Sequence, residues 1–355
     1  MEKDRRVADA VAHWRNRFVS NGVPLADFHD VAAVVTDWAE WCAAWSDRGA
    51  VHERLGREAM AERHFLSAGD HLTTAAVCYH FGKFLFVHDQ AAMRAAHQRA
   101  VECRTDALPH LDPPGERVDI PWDGITLKGN LRKPLGIVRP PVVLMAMGLD
   151  SAKEEMDTNE RVFLDRGMAT LAFDGPGQGE AEYERPICPE YEKPVGAVLD
   201  YLETRPDVDA SRVGIWGVSL GGYYAPRAAA YEKRLKACIA LSGPFDWGAS
   251  FESLPPLTRT AFVARSHSAD EAAARAVAGR MTLAEAAPRI SCPIYIVGGK
   301  LDRIVAAADA ARLAGAVSGP VVLNMIDDAT HVANNRIYRY RPHSADWMAR
   351  QLGLR

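Results

Sequence analysis

The stretch Val213–Arg227 reads VGIWGVSLGGYYAPR and interrupts an apolar run with a single serine, Ser219. The residues before it predict a buried strand and those after it predict a helix, so the serine would lie in the turn between them. A strand-to-helix turn this tight leaves no room for side chains two positions to either side, which accounts for Gly217 and Gly221. The pattern therefore predicts a nucleophilic serine held clear of the sheet, with an N-cap of the following helix as the alternative role.

The alternation of strand and helix extends over residues 113–355. Short apolar runs predict strands near 116–122, 125–132, 141–147, 169–173, 212–217, 237–242, 293–298 and 321–326. The last six runs are largely uninterrupted by polar residues, which is typical of parallel strands covered on both faces. We therefore predict an α/β domain with a mostly parallel eight-stranded sheet, whose first two strands form an antiparallel hairpin at one edge.

Residues 1–112 follow a different pattern and predict an all-helical domain. Apolar residues recur at helical spacing, and Asn21-Gly22 is predicted to end the first helix. Further along, a helical hairpin is predicted to turn at 67–69, where the sequence reads Ser-Ala-Gly. Pro113-Pro114-Gly115 then ends the helical part, so the chain is predicted to contain two domains, 1–112 and 113–355.

Composition limits the possible functions. The 355 residues carry a formal net charge of −4 without a basic stretch, so nothing predicts binding to nucleic acid. No apolar run approaches the ~18 residues of a membrane span, and the charged start MEKDRRVADAVAHW is unlike a signal peptide. The six cysteines show no CxxC spacing, and there is no H-E-x-x-H pattern. We expect a cytoplasmic protein with reduced thiols, no metal site and no membrane partner.

A serine nucleophile requires a base and a carboxylate that orients the base, and after a turn of this kind the acid precedes the histidine. His331 is the predicted base because it lies in a loop directly after the last predicted strand. Asp302 is the predicted acid because it follows the strand at 293–298, in the sequence YIVGGKLDRIV. The other histidines after Ser219 are His267, in a predicted helical stretch, and His343. The alternatives for the acid are Asp246, Asp327 and Asp328.

A negatively charged tetrahedral intermediate needs two N–H donors that are already in place. One predicted donor is the backbone N–H of Leu220, and the other comes from the loop after 141–147, with Leu149 as first choice and Gly148 as second. Lys153 and the two glutamates after it are predicted to stabilise this loop, with contact to the substrate as the alternative role. The sequence DGPGQG at 174–179 lacks both GK[ST] and the GxGxxG spacing, so it is predicted to shape a loop near the pocket and not to bind a nucleotide.

With these residues in place, the chain resembles the α/β-hydrolase superfamily over residues 115–355. Nearly end to end it is similar to the branch that includes 2,6-dihydroxypseudooxynicotine hydrolase and fungal hydrolases that shorten polyketide chains. Esterases of the fermentation–respiration-switch type look related as well. The segments that carry the resemblance are AGDHLTTAAVCYHFGKFLF, ERVDIPWDGITLKGNLRKP, GLDSAKEE, FDGPGQGE, SGPFDW and THVANNRIYRYRPHSADWM.

The resemblance implies an α/β-hydrolase fold in which the helical residues 1–112 form a cap over the active site. It implies cofactor-independent cleavage of a carbon–carbon bond beside a carbonyl, a retro-Claisen hydrolysis of a small ketone or 1,3-dicarbonyl substrate. Ser219 would attack the carbonyl, although a route in which His331 activates water directly is also open. The resemblance also implies a homodimer. The predicted substrate contacts are Tyr79, His80 and Tyr223.

Other classes of function remain open. The same residues would serve an esterase, an amidase or an acyltransferase, and rates on a nitrophenyl ester and on a 1,3-diketone would separate these from a carbon–carbon hydrolase. A non-catalytic ligand receptor on the same fold is a third possibility, although such proteins often lose one of the three residues that are all present here. A peptidase of the prolyl-oligopeptidase type is less consistent, because the helical N-terminal domain cannot supply its β-propeller.

Overall fold

The computed structural model describes residues 3–354, so residues 1, 2 and 355, at the ends of the two predicted domains, lie outside the described residues. The chain divides into two compact units. The helical unit contains the described residues up to Arg117 together with Glu154–Asn159, and the sheet unit contains Val118–Lys153 and the residues from Glu160 onward. A short segment of the predicted second domain, 113–355, is therefore part of the helical unit.

Five helices build most of the helical unit, and aromatic side chains fill its interior. Trp38, Trp41 and Trp45 are each at most 2% exposed, and Phe18 stacks on Phe81 with ring centroids 3.8 Å apart. These contacts are the tertiary packing that stabilises amphipathic helices, whose own propensity contributes little. The helices are α1 (Arg5–Ser20), α2 (Leu25–Val34), α3 (Trp41–Ala61), α4 (Phe65–Lys83) and α5 (Gln90–Ala107).

The predicted turn of the helical hairpin at 67–69 is wrong. Helix α3 ends at Ala61 and α4 begins at Phe65, and Arg63 between them has φ +64°. Gly69 instead lies inside α4, where an added β-carbon would lie 2.8 Å from the carbonyl oxygen of His110. The glycine permits close packing against the chain and does not reverse its direction.

The sheet unit contains the predicted eight-stranded, mostly parallel sheet, in the order β1-β2-β4-β3-β5-β6-β7-β8. Strand β2 runs antiparallel to β4, and the pairs from β4 to β8 are parallel. Asp123 and Gly124, at φ +45° and +77°, join the first two strands in a conformation typical of tight hairpins. The strands are β1 (Gly115–Trp122), β2 (Ile125–Arg132), β3 (Pro141–Ala146), β4 (Ala169–Phe173), β5 (Asp209–Val218), β6 (Leu235–Leu241), β7 (Ile294–Gly299) and β8 (Val321–Ile326).

Helices connect the parallel strands. Three of them, α9 to α11, lie between β6 and β7, and His267 lies in the turn between α10 and α11 with φ +51°, not in a helix as predicted. Within residues 3–354, no helix combines the length and the apolar character that crossing a membrane requires. The helices are α6 (Asp157–Leu164), α7 (Glu192–Glu203), α8 (Gly221–Tyr231), α9 (Trp247–Ser250), α10 (Pro256–Arg265), α11 (Glu271–Gly279), α12 (Ala307–Ala316) and α13 (Arg341–Gln351).

The strand order brings the predicted site residues to one edge of the sheet. Strands β3, β5, β6, β7 and β8 are consecutive neighbours, and all of them run in the same direction. The loops that follow them therefore meet at the carboxyl edge, where ligands bind in open α/β sheets.

Candidate active site

Ser219 occupies the turn between β5 and α8 in a left-handed backbone conformation, with φ +55°. A β-carbon on Gly217 would lie 2.0 Å from the carbonyl oxygen of Gly221, and one on Gly221 would lie 2.0 Å from that of Ala146. No side chain fits at either position. The two glycines thus allow α8 to start directly against β5 and β3, and a strained serine of this kind is a frequent feature of functional sites.

Ser219, His331 and Asp302 form one continuous hydrogen-bonded row, called the Ser–His–Asp row below. The Nε2 atom of His331 lies 2.9 Å from Ser219 Oγ, and its Nδ1 atom lies 2.8 Å from Asp302 Oδ2. An ionised carboxylate only accepts hydrogen bonds, so Nδ1 carries a proton and the neutral imidazole presents Nε2 as acceptor to the serine hydroxyl. This is the arrangement in which a histidine can take the proton of a serine.

The carboxylate of Asp302 is enclosed, with its side chain 2% exposed. Burial raises the pKa of Asp302, but neighbouring His331 and the backbone N–H groups of Ile304 and Val305 lower it by more, so the pKa lies below its ordinary value. Those two N–H groups donate to Oδ1 at 2.9 and 3.0 Å. The carboxylate therefore remains ionised at neutral pH and holds the imidazole in one orientation.

The alternative acids and histidines have other partners. Asp327 pairs with Lys300 at the surface, and Asp328 pairs with an arginine five residues after the base. Asp246 accepts a hydrogen bond at the start of α9. His267 lies 2.7 Å from a backbone carbonyl oxygen, and the remaining histidine is exposed near the start of α13. None of these side chains has a hydrogen bond to Ser219 among the described residues.

The loop after β3 passes beside the serine. A β-carbon on Gly148 would lie 3.1 Å from Ser219 Cβ and 3.5 Å from Ser219 Oγ. Leu149 and Leu220 are both buried, yet within residues 3–354 no acceptor takes a hydrogen bond from the backbone N–H of either residue. Buried N–H groups are nearly always paired, so two unpaired ones in this loop and turn are suited to bind a negatively charged oxygen. The role of Leu149, Leu220 and Gly148 as oxyanion donors stays a prediction.

Ser242 is a site residue that sequence reasoning missed. It follows β6 with φ +48°, and its Oγ accepts a hydrogen bond at 3.0 Å from the backbone N–H of Val332. Val332 and Ala333 directly follow His331 and have φ values of +61° and +52°. A β-branched residue in this conformation is strained, so Ser242 stabilises the backbone that carries the histidine. The sequence feature that could have indicated this role is the pair Ser-Gly at the carboxyl end of the strand predicted at 237–242.

The three predicted substrate contacts are all buried and all have protein partners. Tyr79 donates a hydrogen bond to Glu53 at 2.9 Å, and His80 Nε2 lies 3.1 Å from a carboxylate oxygen of Glu155. Tyr223 donates to a backbone carbonyl oxygen at 2.8 Å. Tyr79 and His80 belong to the helical unit and Tyr223 to the sheet unit. Their role as substrate contacts stays a prediction.

Comparison with known proteins gives two family matches and several relatives. A model of FrsA-like esterases matches residues 27–251, and a model of the prolyl oligopeptidase family matches residues 155–355. The 2,6-dihydropseudooxynicotine hydrolase of Paenarthrobacter nicotinovorans is 34% identical over 346 residues, which cover 96% of this chain and 92% of that protein. The α/β hydrolase xenA of Xenoacremonium sinensis is 30% identical over 257 residues, covering 66% of this chain and 59% of xenA.

Solved structures agree with these matches. The crystal structure of 2,6-dihydroxy-pseudo-oxynicotine hydrolase is similar with a TM-score of 0.88 at 32% identity, over 95% of both chains. The structure of AbyA5 has a TM-score of 0.71 at 23% identity, over 89% of both chains, and shows a shared fold.

Proposed function

This chain belongs to the FrsA-like esterase family of α/β hydrolases, and from that premise we propose that it is a serine hydrolase that cleaves a carbon–carbon bond beside a carbonyl. The substrate would be a small ketone or 1,3-dicarbonyl compound. The observation that supports the proposal is the Ser–His–Asp row, in which His331 Nε2 lies 2.9 Å from Ser219 Oγ. The N–H groups of Leu149 and Leu220, which have no acceptor among the described residues, support it as well. The similarity to a named pseudooxynicotine hydrolase over 96% of the chain supports the choice of bond.

In the first half of the proposed reaction, Ser219 Oγ attacks the carbonyl carbon while its proton passes to His331 Nε2. The carbonyl oxygen becomes an oxyanion that accepts hydrogen bonds from Leu149 and Leu220. The carbon–carbon bond then breaks, and its electron pair leaves on the α-carbon, where an adjacent second carbonyl stabilises it as an enolate. This carbon takes the proton back from His331. Asp302 stabilises the imidazolium in the interval.

In the second half, His331 removes a proton from water, and the resulting hydroxide attacks the acyl group on Ser219. The ester bond breaks, a carboxylic acid leaves, and the serine oxygen regains its proton from the imidazolium. One water molecule is consumed, and nothing is oxidised or reduced. The residues of the row thus supply every proton transfer, so we propose that activity survives exhaustive dialysis against EDTA.

An esterase is the second candidate function. The match to the FrsA-like esterase family over residues 27–251 favours it, because the same acyl-enzyme steps hydrolyse an ester when the leaving group is an alcohol. Turnover of a nitrophenyl ester and of a 1,3-diketone by one preparation decides between the two. A kcat/KM for the diketone well above that for the ester supports carbon–carbon hydrolysis, and the reverse supports the esterase.

The test of the covalent mechanism is Ser219→Ala, with Ser211→Ala as the matched control. Ser211 is exposed and lies at the start of β5, at the opposite end of the strand from Ser219. We expect Ser219→Ala to fold normally, lose turnover and resist a fluorophosphonate probe, and Ser211→Ala to behave as the wild type. Wild-type turnover in folded Ser219→Ala would refute attack by the serine and favour direct attack by water. A wild type that the probe never labels would favour a non-catalytic receptor.

The proposal extends to the assembly and location of the protein. It includes a capping function for the helical residues 1–112, a homodimer, and a cytoplasmic location. Sedimentation equilibrium tests the dimer directly, because a monomer at micromolar concentration would contradict it.

A further inference from the structure

The loop between β4 and α7 contains an amide whose hydrogen-bonding capacity is completely used. Gln178 is 1% exposed, and its Nε2 atom donates to the carbonyl oxygens of Met147 at 2.6 Å and Gly148 at 2.9 Å. Its Oε1 atom accepts from the backbone N–H of Gly175 at 3.2 Å and from the hydroxyl of Tyr191 at 2.8 Å. Two donated and two accepted bonds exhaust what a glutamine side chain can make.

The two carbonyls that Gln178 holds belong to the loop of residues 147–153, called the oxyanion loop below. In a trans peptide group the C=O and N–H lie in one plane and point in opposite directions. The carbonyl of Gly148 shares its peptide group with the N–H of Leu149, and that of Met147 shares its group with the N–H of Gly148. An amide that fixes both carbonyls therefore fixes the direction of both N–H bonds, and these are the first and second choices for the donor that this loop is predicted to supply.

The same segment holds the other end of the oxyanion loop. Asp174 accepts a hydrogen bond from the backbone N–H of Lys153 at 3.0 Å, and its carboxylate lies 2.7 Å from Lys153 Nζ, with both side chains buried. Glycines leave the space for these contacts. An added β-carbon on Gly179 would lie 2.1 Å from the carboxylate of Asp174, and one on Gly175 would lie 2.2 Å from the Tyr191 hydroxyl oxygen.

We propose that Gln178 is a positioning residue that aims the N–H donors of the oxyanion loop, and that the sequence DGPGQG at 174–179 is the clamp that holds this loop at both ends. The inference rests on the proposed function, because the donors matter only if an oxyanion forms at Ser219. Gln178 acts through the peptide groups of residues 147–149 and through none of the proton-transfer groups. Its loss should therefore slow the formation of the oxyanion and leave the pH dependence of the Ser–His–Asp row unchanged.

The experiment compares Gln178→Met with the wild type. Methionine keeps the length of the side chain and removes its N–H donors without adding a titratable group. The readouts are the second-order rate constant of labelling by a fluorophosphonate, its stoichiometry, and kcat and KM for p-nitrophenyl acetate. We expect the labelling rate constant and kcat to fall on the order of 10²-fold, as for a misplacement of about 1 Å. We expect KM and the midpoint of the pH–kcat profile to stay at their wild-type values.

Tyr191→Phe is the matched control, because it removes a bond to the acceptor side of Gln178 and leaves both bonds to the oxyanion loop. We expect it to keep the wild-type labelling rate constant. A purely structural role for Gln178 would lower the labelled fraction without changing the rate constant, and that result overturns the inference, as does labelling of Gln178→Met at the wild-type rate. Absence of labelling in the wild type would instead overturn the proposed function, and this inference with it.

Discussion

Replacing Arg17 with methionine tests how the helical unit holds a buried charge. The carboxylate of Glu155 is 1% exposed and is the acceptor of two bonds from Arg17, Nε to Oε1 and Nη2 to Oε2, both at 2.7 Å. Asn21 donates to Oε1 at 2.6 Å, and His80 Nε2 lies 3.1 Å from Oε2. Burial raises the pKa of Glu155, but Arg17 and then His80 lower it by more, so the pKa lies well below its ordinary value.

The expected cost follows from this geometry. Removing one partner of a buried ion pair costs about 3–5 kcal/mol, because the remaining charge is left without compensation. The Arg17 guanidinium also lies 5.3 Å from the ring centroid of Trp14 and 5.4 Å from that of Phe84, contacts worth about 1 kcal/mol. Methionine keeps most of the apolar stem. We expect Arg17→Met to lose about 4 kcal/mol of unfolding free energy at pH 7.

The pH dependence of this loss has a definite sign. In the wild type the depressed pKa of Glu155 contributes stability above the unfolded pKa of about 4.3, and that stability is lost as the pH falls. In Arg17→Met the carboxylate is buried without its cation, so its folded pKa should rise above the unfolded value. The folded variant then takes up a proton at Glu155, and its stability increases as the pH falls. The difference between wild type and variant should therefore shrink from pH 8 to pH 5.

The assay is urea unfolding followed by tryptophan fluorescence at pH 5 to 8, on the wild type, Arg17→Met, Glu155→Gln and the double variant. Glutamine removes the charge that Arg17 compensates, so the double variant should recover about 2 kcal/mol relative to Arg17→Met. Two results would refute the reasoning. One is a loss of unfolding free energy below about 1 kcal/mol at pH 7. The other is a loss of the same size at every pH between 5 and 8.

Three further substitutions, one of them with a matched control, test the sheet unit. Asp302→Asn removes the carboxylate that fixes the imidazole tautomer, so kcat should fall by about 10⁴-fold with folding intact; steady-state kinetics showing a loss below tenfold would contradict that role. Ser242→Ala leaves the buried N–H of Val332 without its acceptor and should cost about 1–3 kcal/mol in urea unfolding, whereas an unchanged midpoint would mean that the backbone holds this loop unaided. Gly221→Ala places a β-carbon 2.0 Å from a backbone oxygen and should abolish soluble folded protein. Gly315→Ala is the control, because its added β-carbon meets nothing within 4 Å, and it should leave circular dichroism and activity unchanged.

Local sequence patterns were sufficient to predict most of the fold. The apolar runs predicted all eight strands. Strands β3, β4 and β7 are buried over their whole length, and a strand buried on both faces is apolar throughout. Strand β8, at the edge of the sheet, was also predicted to be covered on both faces, but it is partly exposed. The hairpin at Asp123-Gly124 followed from turn chemistry alone. The turn of the helical hairpin was misplaced because Gly69 was interpreted as a chain reversal. Its true cause is the close approach of His110, which is distant in sequence.

The candidate site also contains contacts that the sequence predicts and contacts that it does not. Ser219 follows from its strand–turn–helix context, and His331 and Asp302 follow from their positions after successive strands, so their hydrogen-bonded row could be predicted without coordinates. The bonds from Gln178 to Gly148 and from Ser242 to Val332 could not, because each joins loops that no local pattern relates.

By itself the sequence determined the two kinds of architecture, the order of strands and helices along the chain, and the residue types available at the carboxyl edge of the sheet. These depend on periodicity and turn preference, which act over a few neighbouring residues. Only the tertiary structure decided that Glu155 is held by Arg17, 138 positions away, and that Gln178 holds a carbonyl 30 positions away. Such bonds leave no periodic trace in the sequence, because the packing of whole elements sets the distance and direction between their side chains.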